Sequence, residues 1–142
     1  MTRTSDIGFT FAQPLSIREA LHSLGEVGLT LTQSDQVSYV IDRDKMFDWT
    51  KENASCLQNI IDEADRAEPG ETTFGVTSYF GSSIHGGDLL FHEDRLEISF
   101  MVTVNKRTLP GSQFCDFGWY LNRLVPPFEQ LGLVEFTATD LR

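Results

Sequence analysis

The chain is predicted to be one α+β domain, residues 1–142, built on a mainly antiparallel sheet with about three helices packed on one face. Three observations lead there. Leu96, Ile98, Phe100, Val102 and Val104 fall on one side of a period-2 repeat, and Glu97, Ser99, Met101, Thr103 and Asn105 on the other. That alternation marks a strand with one face on a core. Just upstream, Leu89 and Phe91 alternate with Asp88, Leu90 and His92. A turn centred on Glu93 and Asp94 would set Phe91 opposite Leu96 and Leu89 opposite Ile98, apolar beside apolar. Finally, apolar residues recur at helical spacing on both sides of these strands, with Leu57, Ile60, Ile61 and Ala64 before them and Phe117, Leu121, Leu124 and Phe128 after. Hairpins adjacent in sequence favour an antiparallel sheet, and amphipathic helices need its apolar face.

In chain order, Ile7, Phe9 and Phe11 alternate with small or polar residues and predict a first strand, ended by Pro14. Ser16-Ile17-Arg18-Glu19 is a capping box, so a helix starts there, carries Ile17, Ala20, Leu21 and Leu24 on one face, and stops at Gly25 or Gly28. Two brief strands are expected at 29–31 and 37–41, around Ser34-Asp35, followed by a turn at 42–45. A second helix is predicted over 51–67, capped by Thr50 or Asn53 and broken by Glu68-Pro69-Gly70. Residues 72–80 read as a strand with Phe74, Val76 and Phe80 inward. After a polar loop over 105–112, a helix through Phe114 to Phe128 meets Pro126-Pro127, where a kink or two short helices are expected. A last strand is expected at 133–137.

Composition narrows the function. Twenty-one acidic against eleven basic residues give a net charge of −10. A phosphate backbone needs clustered Lys and Arg, so nucleic acid is not expected as a partner, and an anionic membrane is disfavoured for the same reason. A basic protein partner is expected instead, drawn by long-range attraction. Cys56 and Cys115 fit no metal-ligand spacing and read as buried helical thiols in a reducing compartment. With no apolar leader at Met1 and no apolar run near ~20 residues, the expected location is cytoplasmic.

The acidity is concentrated. Residues 35–71 hold ten acids and four bases, a net −6. Within them Asp42, Asp44, Asp48 and Glu52 surround Met46, Phe47 and Trp49. Apolar anchors rimmed by carboxylates suit a surface for a basic protein, so Asp42, Asp44, Phe47, Asp48, Trp49 and Glu52 are the expected partner-binding residues. The size, acidity and α+β build resemble, without a shared motif, toxin-neutralising immunity proteins. That resemblance implies an inhibitor that masks a basic partner.

Two other readings belong to different classes. His85, Asp88 and His92 near one strand would supply a divalent-metal site or acid–base groups of a small enzyme. Eleven Phe would line a small-ligand carrier's cavity between sheet and helices. No glycine-rich nucleotide fingerprint, nucleophile elbow or zinc-binding His-Glu-x-x-His occurs. No cofactor or resident metal is expected, and catalysis is not the leading expectation.

Overall fold

The alternating stretches of the chain join one antiparallel sheet of eight strands. The computed structural model describes residues 4–68 and 70–141. The strands are β1 (Thr4–Phe11), β2 (Leu29–Thr30), β3 (Gln36–Asp42), β4 (Thr50–Asn53), β5 (Thr73–Phe80), β6 (Gly86–Phe91), β7 (Glu97–Val104) and β8 (Leu133–Leu141). Helices α1 (Ile17–Glu26), α2 (Leu57–Arg66) and α3 (Phe117–Gln130) complete the fold. The strand order is β4-β3-β5-β6-β7-β1-β8, and β2 pairs with the far end of β5. The three strands most legible in the sequence are adjacent and central. Their alternation survives: Phe74, Leu89, Phe91, Ile98 and Phe100 are all fully buried.

All three helices cover that same face. Ile17, Ala20 and Leu24 of α1, Ile60 and Ala64 of α2, and Tyr120, Leu124 and Phe128 of α3 share one core with the inner strand residues. The Ser16 hydroxyl accepts the Glu19 N–H at 3.3 Å, as the capping box requires. A second cap comes from a distance. Asp65 on α2 accepts the Ile17 N–H at 2.9 Å and the Ser16 hydroxyl at 3.2 Å, and Arg18 pairs with Asp62. Ser34 and Asp35 both have positive φ, and Gln33 and Gln36 exchange backbone bonds across them, forming a two-residue hairpin of the I′ kind.

Four expectations need correction. The second helix begins at Leu57, after a 3-10 turn (Ala54–Cys56), because Asn53 accepts the Ser55 N–H as a cap. A cap residue has extended backbone, here φ −62° and ψ 144°, and the residues leading into it continue as β4 along β3. Pro69, part of the expected break, lies outside the described residues. In the β6–β7 hairpin, Phe91 faces Ile98 and Leu89 faces Phe100, two residues out from the expected register. An even shift keeps every side chain on its face. The longer loop is held by Arg95, whose left-handed backbone (φ 58°) turns the guanidinium inward. Arg95 Nη1 donates to the Thr72 carbonyl at 2.7 Å and the His92 carbonyl at 2.9 Å, and Nη2 to Thr72 Oγ1 at 3.0 Å. Burial lowers its pKa, yet backbone oxygens satisfy the cation.

The third helix contains both prolines in one span, and Phe114 precedes it. Prolines 126 and 127 deprive only the Asn122 and Arg123 carbonyls of their helical donors, while Pro127 itself packs into the buried face. The cysteines are not in α-helices. Cys56 ends the 3-10 turn, Cys115 forms an isolated bridge with Thr108, and neither is in a disulfide.

Candidate functional site

The other face of the sheet carries no helix, and one loop reaches onto it. Thr73, Thr77, Tyr79, Ser99 and Met101 point that way, as the alternation requires. At the centre lies Gly75, where a methyl group would sit 2.8 Å from Leu90 Cδ2, 2.9 Å from Val40 Cγ1 and 3.0 Å from Trp49 Cη2. Trp49 therefore rests on the sheet through a gap that only glycine leaves. Its ring belongs to a small outer cluster rather than to the core beneath the helices.

The 43–49 loop that delivers Trp49 is internally strapped. Asp42 Oδ2 accepts the Lys45 N–H and Asp42 Oδ1 the Phe47 N–H, each at 2.9 Å, and Asp44 accepts the Met46 N–H at 3.0 Å. Lys45 and Phe47 both take left-handed backbone, at φ 65° and 50°. For a bulky residue such as Phe this conformation is unfavourable by about 1–2 kcal/mol. The straps hold it nonetheless, and the result projects apolar side chains outward. Met46 is 68 % exposed, Phe47 41 % and Trp49 38 %.

The expected partner-facing carboxylates divide in two. Asp42 is only 6 % exposed, so it is a correction: with both oxygens on loop N–H groups, it shapes the loop rather than facing outward. Asp44 and Asp48 are exposed and, with Val40, Ile41, Asp42 and Arg43, enclose a cleft of about 240 Å³. Glu52 is a second correction: it is exposed on β4 opposite the core residue Val37, so it lies on the helix side of the sheet and not on the face where Trp49 rests. Tyr39 beside it has its pKa raised, by burial first and then by the Glu52 and Glu63 carboxylates. The strand registers bring more acid to the end of the sheet where Asp42 faces Thr73. Gly70 donates to the Glu93 carbonyl at 2.9 Å, so Glu68, Glu71, Glu93 and Asp94 flank the start of β5, and Arg43 pairs with Glu71 at 3.7 Å. Sequence reasoning missed Gly75 and Val40. An isolated glycine inside a strand pattern was the available signal.

His85, Asp88 and His92 do not converge. His85 precedes β6 and His92 follows it, a separation of roughly 23 Å at strand rise. His85 Nδ1 bonds to the Asn105 carbonyl while its ring meets Trp119 edge-on. Asp88 accepts from the Thr77 hydroxyl at 2.7 Å, and His92 Nε2 lies 2.7 Å from Ser99 Oγ. Among the described residues no three His, Cys, Asp or Glu side chains are grouped to hold a metal ion.

Phe9, Phe11, Phe74, Phe80, Phe91, Phe100 and Phe128 fill the core, whereas Phe47, Phe114 and Phe136 are exposed. Phe9 and Phe11 both pack edge-on against Phe128, at 4.8 and 5.3 Å. A groove of about 450 Å³ lies between α1 and α2, floored by Leu21, Leu29, Leu31, Leu57 and Ile61 and without Phe. Among the described residues no helix is long and apolar enough to cross a membrane. Comparison with protein-family models, curated proteins and solved structures finds no match to this chain.

Proposed function

We propose that this chain is a small acidic cytoplasmic binding protein that masks a basic partner protein, in the manner of an immunity or inhibitor protein. One observation carries the reading: three large apolar side chains stand exposed on a strapped loop beside the exposed carboxylates of Asp44 and Asp48. Strain of about 1–2 kcal/mol at an exposed Phe is tolerated where the resulting display has a use. A preorganised loop also loses little entropy on binding. In this arrangement Phe47 and Met46 enter pockets on the partner, Trp49 forms the firm floor behind them, and Asp44 and Asp48 meet its Lys and Arg. The cleft beside Asp44 and Asp48 accepts one such basic side chain.

Affinity capture tests this. The immobilised protein is expected to retain a basic protein from native-host extract, and Asp44→Lys with Asp48→Lys is expected to abolish retention. Glu129→Lys with Glu135→Lys, a reversal of equal size elsewhere, is expected to leave it intact. Equal retention by both double variants would overturn the assignment of this loop.

A further inference from the structure

The two edges of the sheet differ in how they are guarded. One edge, β4, is four residues long and carries Lys51 in its middle. Short length and an edge lysine are common protections against unwanted strand pairing. The opposite edge is β8, nine residues long, paired to β1 on one side and to nothing else among the described residues. Its sequence, Leu-Val-Glu-Phe-Thr-Ala-Thr-Asp-Leu, has no Lys, Arg, Pro or Gly. Val134 is 64 % exposed, Phe136 44 % and Leu141 60 %. Phe136 touches Phe9 at 6.5 Å toward the sheet, and its remaining surface lies at the open edge.

We infer that β8 pairs antiparallel with β8 of a second copy, about a twofold axis through Thr137, extending the sheet across both chains. The register is chosen by the strand itself. Its pairing with β1 puts Phe136, Ala138 and Asp140 on the helix-covered face, with Thr137, Thr139 and Leu141 on the other. A twofold pairing must keep each face with its like, so facing positions differ by an even number. A β-bulge at Val134 turns Leu133 toward the core opposite Phe11, so the regular strand starts at Glu135. The pairing about Thr137 sets Glu135 against Thr139, Phe136 against Ala138 and Thr137 against itself. In that register Glu135 faces Thr139 rather than another acid. The small Ala138 leaves room for the Phe136 ring, and threonine facing threonine is a favourable cross-strand pair. Gly8 lies beneath Thr137, so nothing bulky crowds the axis from within the chain. The 43–49 loops then sit at the two far ends of the joined sheet, both accessible, so this pairing is independent of the proposed partner.

Sedimentation velocity and cysteine cross-linking test it on the full chain. A concentration-dependent dimer is expected, strengthened by salt because each copy carries −10. Thr137→Cys is expected to form a disulfide-linked dimer on mild oxidation, since facing Cα atoms lie about 4.5–5.5 Å apart. Thr139→Cys is the control. Its own counterpart would be four residues away along the strand, about 14 Å, beyond disulfide reach. Unsubstituted protein reports any linkage through Cys56 or Cys115. Monomer at every concentration and salt would overturn the pairing. So would a dimer in which Thr139→Cys links as readily as Thr137→Cys, or in which neither links.

Discussion

Gly75 does more than any charged residue to place the candidate loop. Val40, Leu90 and the tip of Trp49 converge on the space its missing side chain leaves. Gly75→Ala is expected to destabilise the protein by about 1–3 kcal/mol, as overpacking does, and to lift Trp49 from the sheet. Unchanged denaturant midpoints would mean the contact is not close. At the far end of the core, Tyr120 is fully buried, and its phenol oxygen accepts the Arg107 N–H at 2.8 Å. Burial raises its pKa above the ordinary 10.0. The unfolded chain therefore releases this proton first as pH rises. The stabilisation is complete below about pH 10 and declines as pH climbs toward the folded value. Urea midpoints are expected to fall above about pH 10, with delayed phenolate absorbance at 295 nm. A flat profile would contradict the burial of Tyr120.

At the level of elements, what the sequence announced was local and what it hid was paired at a distance. The capping box at Ser16 was legible because Ser16 and Glu19 are three residues apart. Its reinforcement by Asp65 joins residues 48 and 49 positions apart, which no local pattern displays. Asp65→Ala is expected to destabilise the protein by about 1–2 kcal/mol, since it leaves the Ile17 N–H without its partner. Thermal melts indistinguishable from the parent would show that Ser16 alone caps α1. Lys51, Glu52 and Asn53 are residue types depleted in strands, and the free edge of β3 extends them all the same. The β6–β7 register was misread by two residues because Arg95 lengthens the loop through contacts to Thr72. Both outcomes are tertiary preferences overriding local ones.

Across the whole molecule, the strand directions gather several acidic loops at one end of the sheet, together with Arg43, Lys45 and Arg95. Asp42 faces Thr73 and Phe74 faces Phe91, so the loops at 43–49, 68–72 and 93–96 gather at one end of the sheet. Lys106 and Arg107 follow β7 at the other end. The clustering of acids at 35–71 was readable from the sequence, but its merger with Glu93 and Asp94 needed the fold. How Trp49 sits outside the core also needed the fold, because the gap at Gly75 is formed by neighbouring strands. The most direct test is the association rate with the captured basic partner at increasing salt. Between about 0.1 M and 1 M the Debye length falls from about 10 Å to about 3 Å. The on-rate is expected to fall steeply over that range, and Asp44→Lys with Asp48→Lys is expected to flatten the dependence, while dissociation changes little. An on-rate indifferent to both salt and the double reversal would reduce the acidic end to a solvated surface and contradict the proposed function.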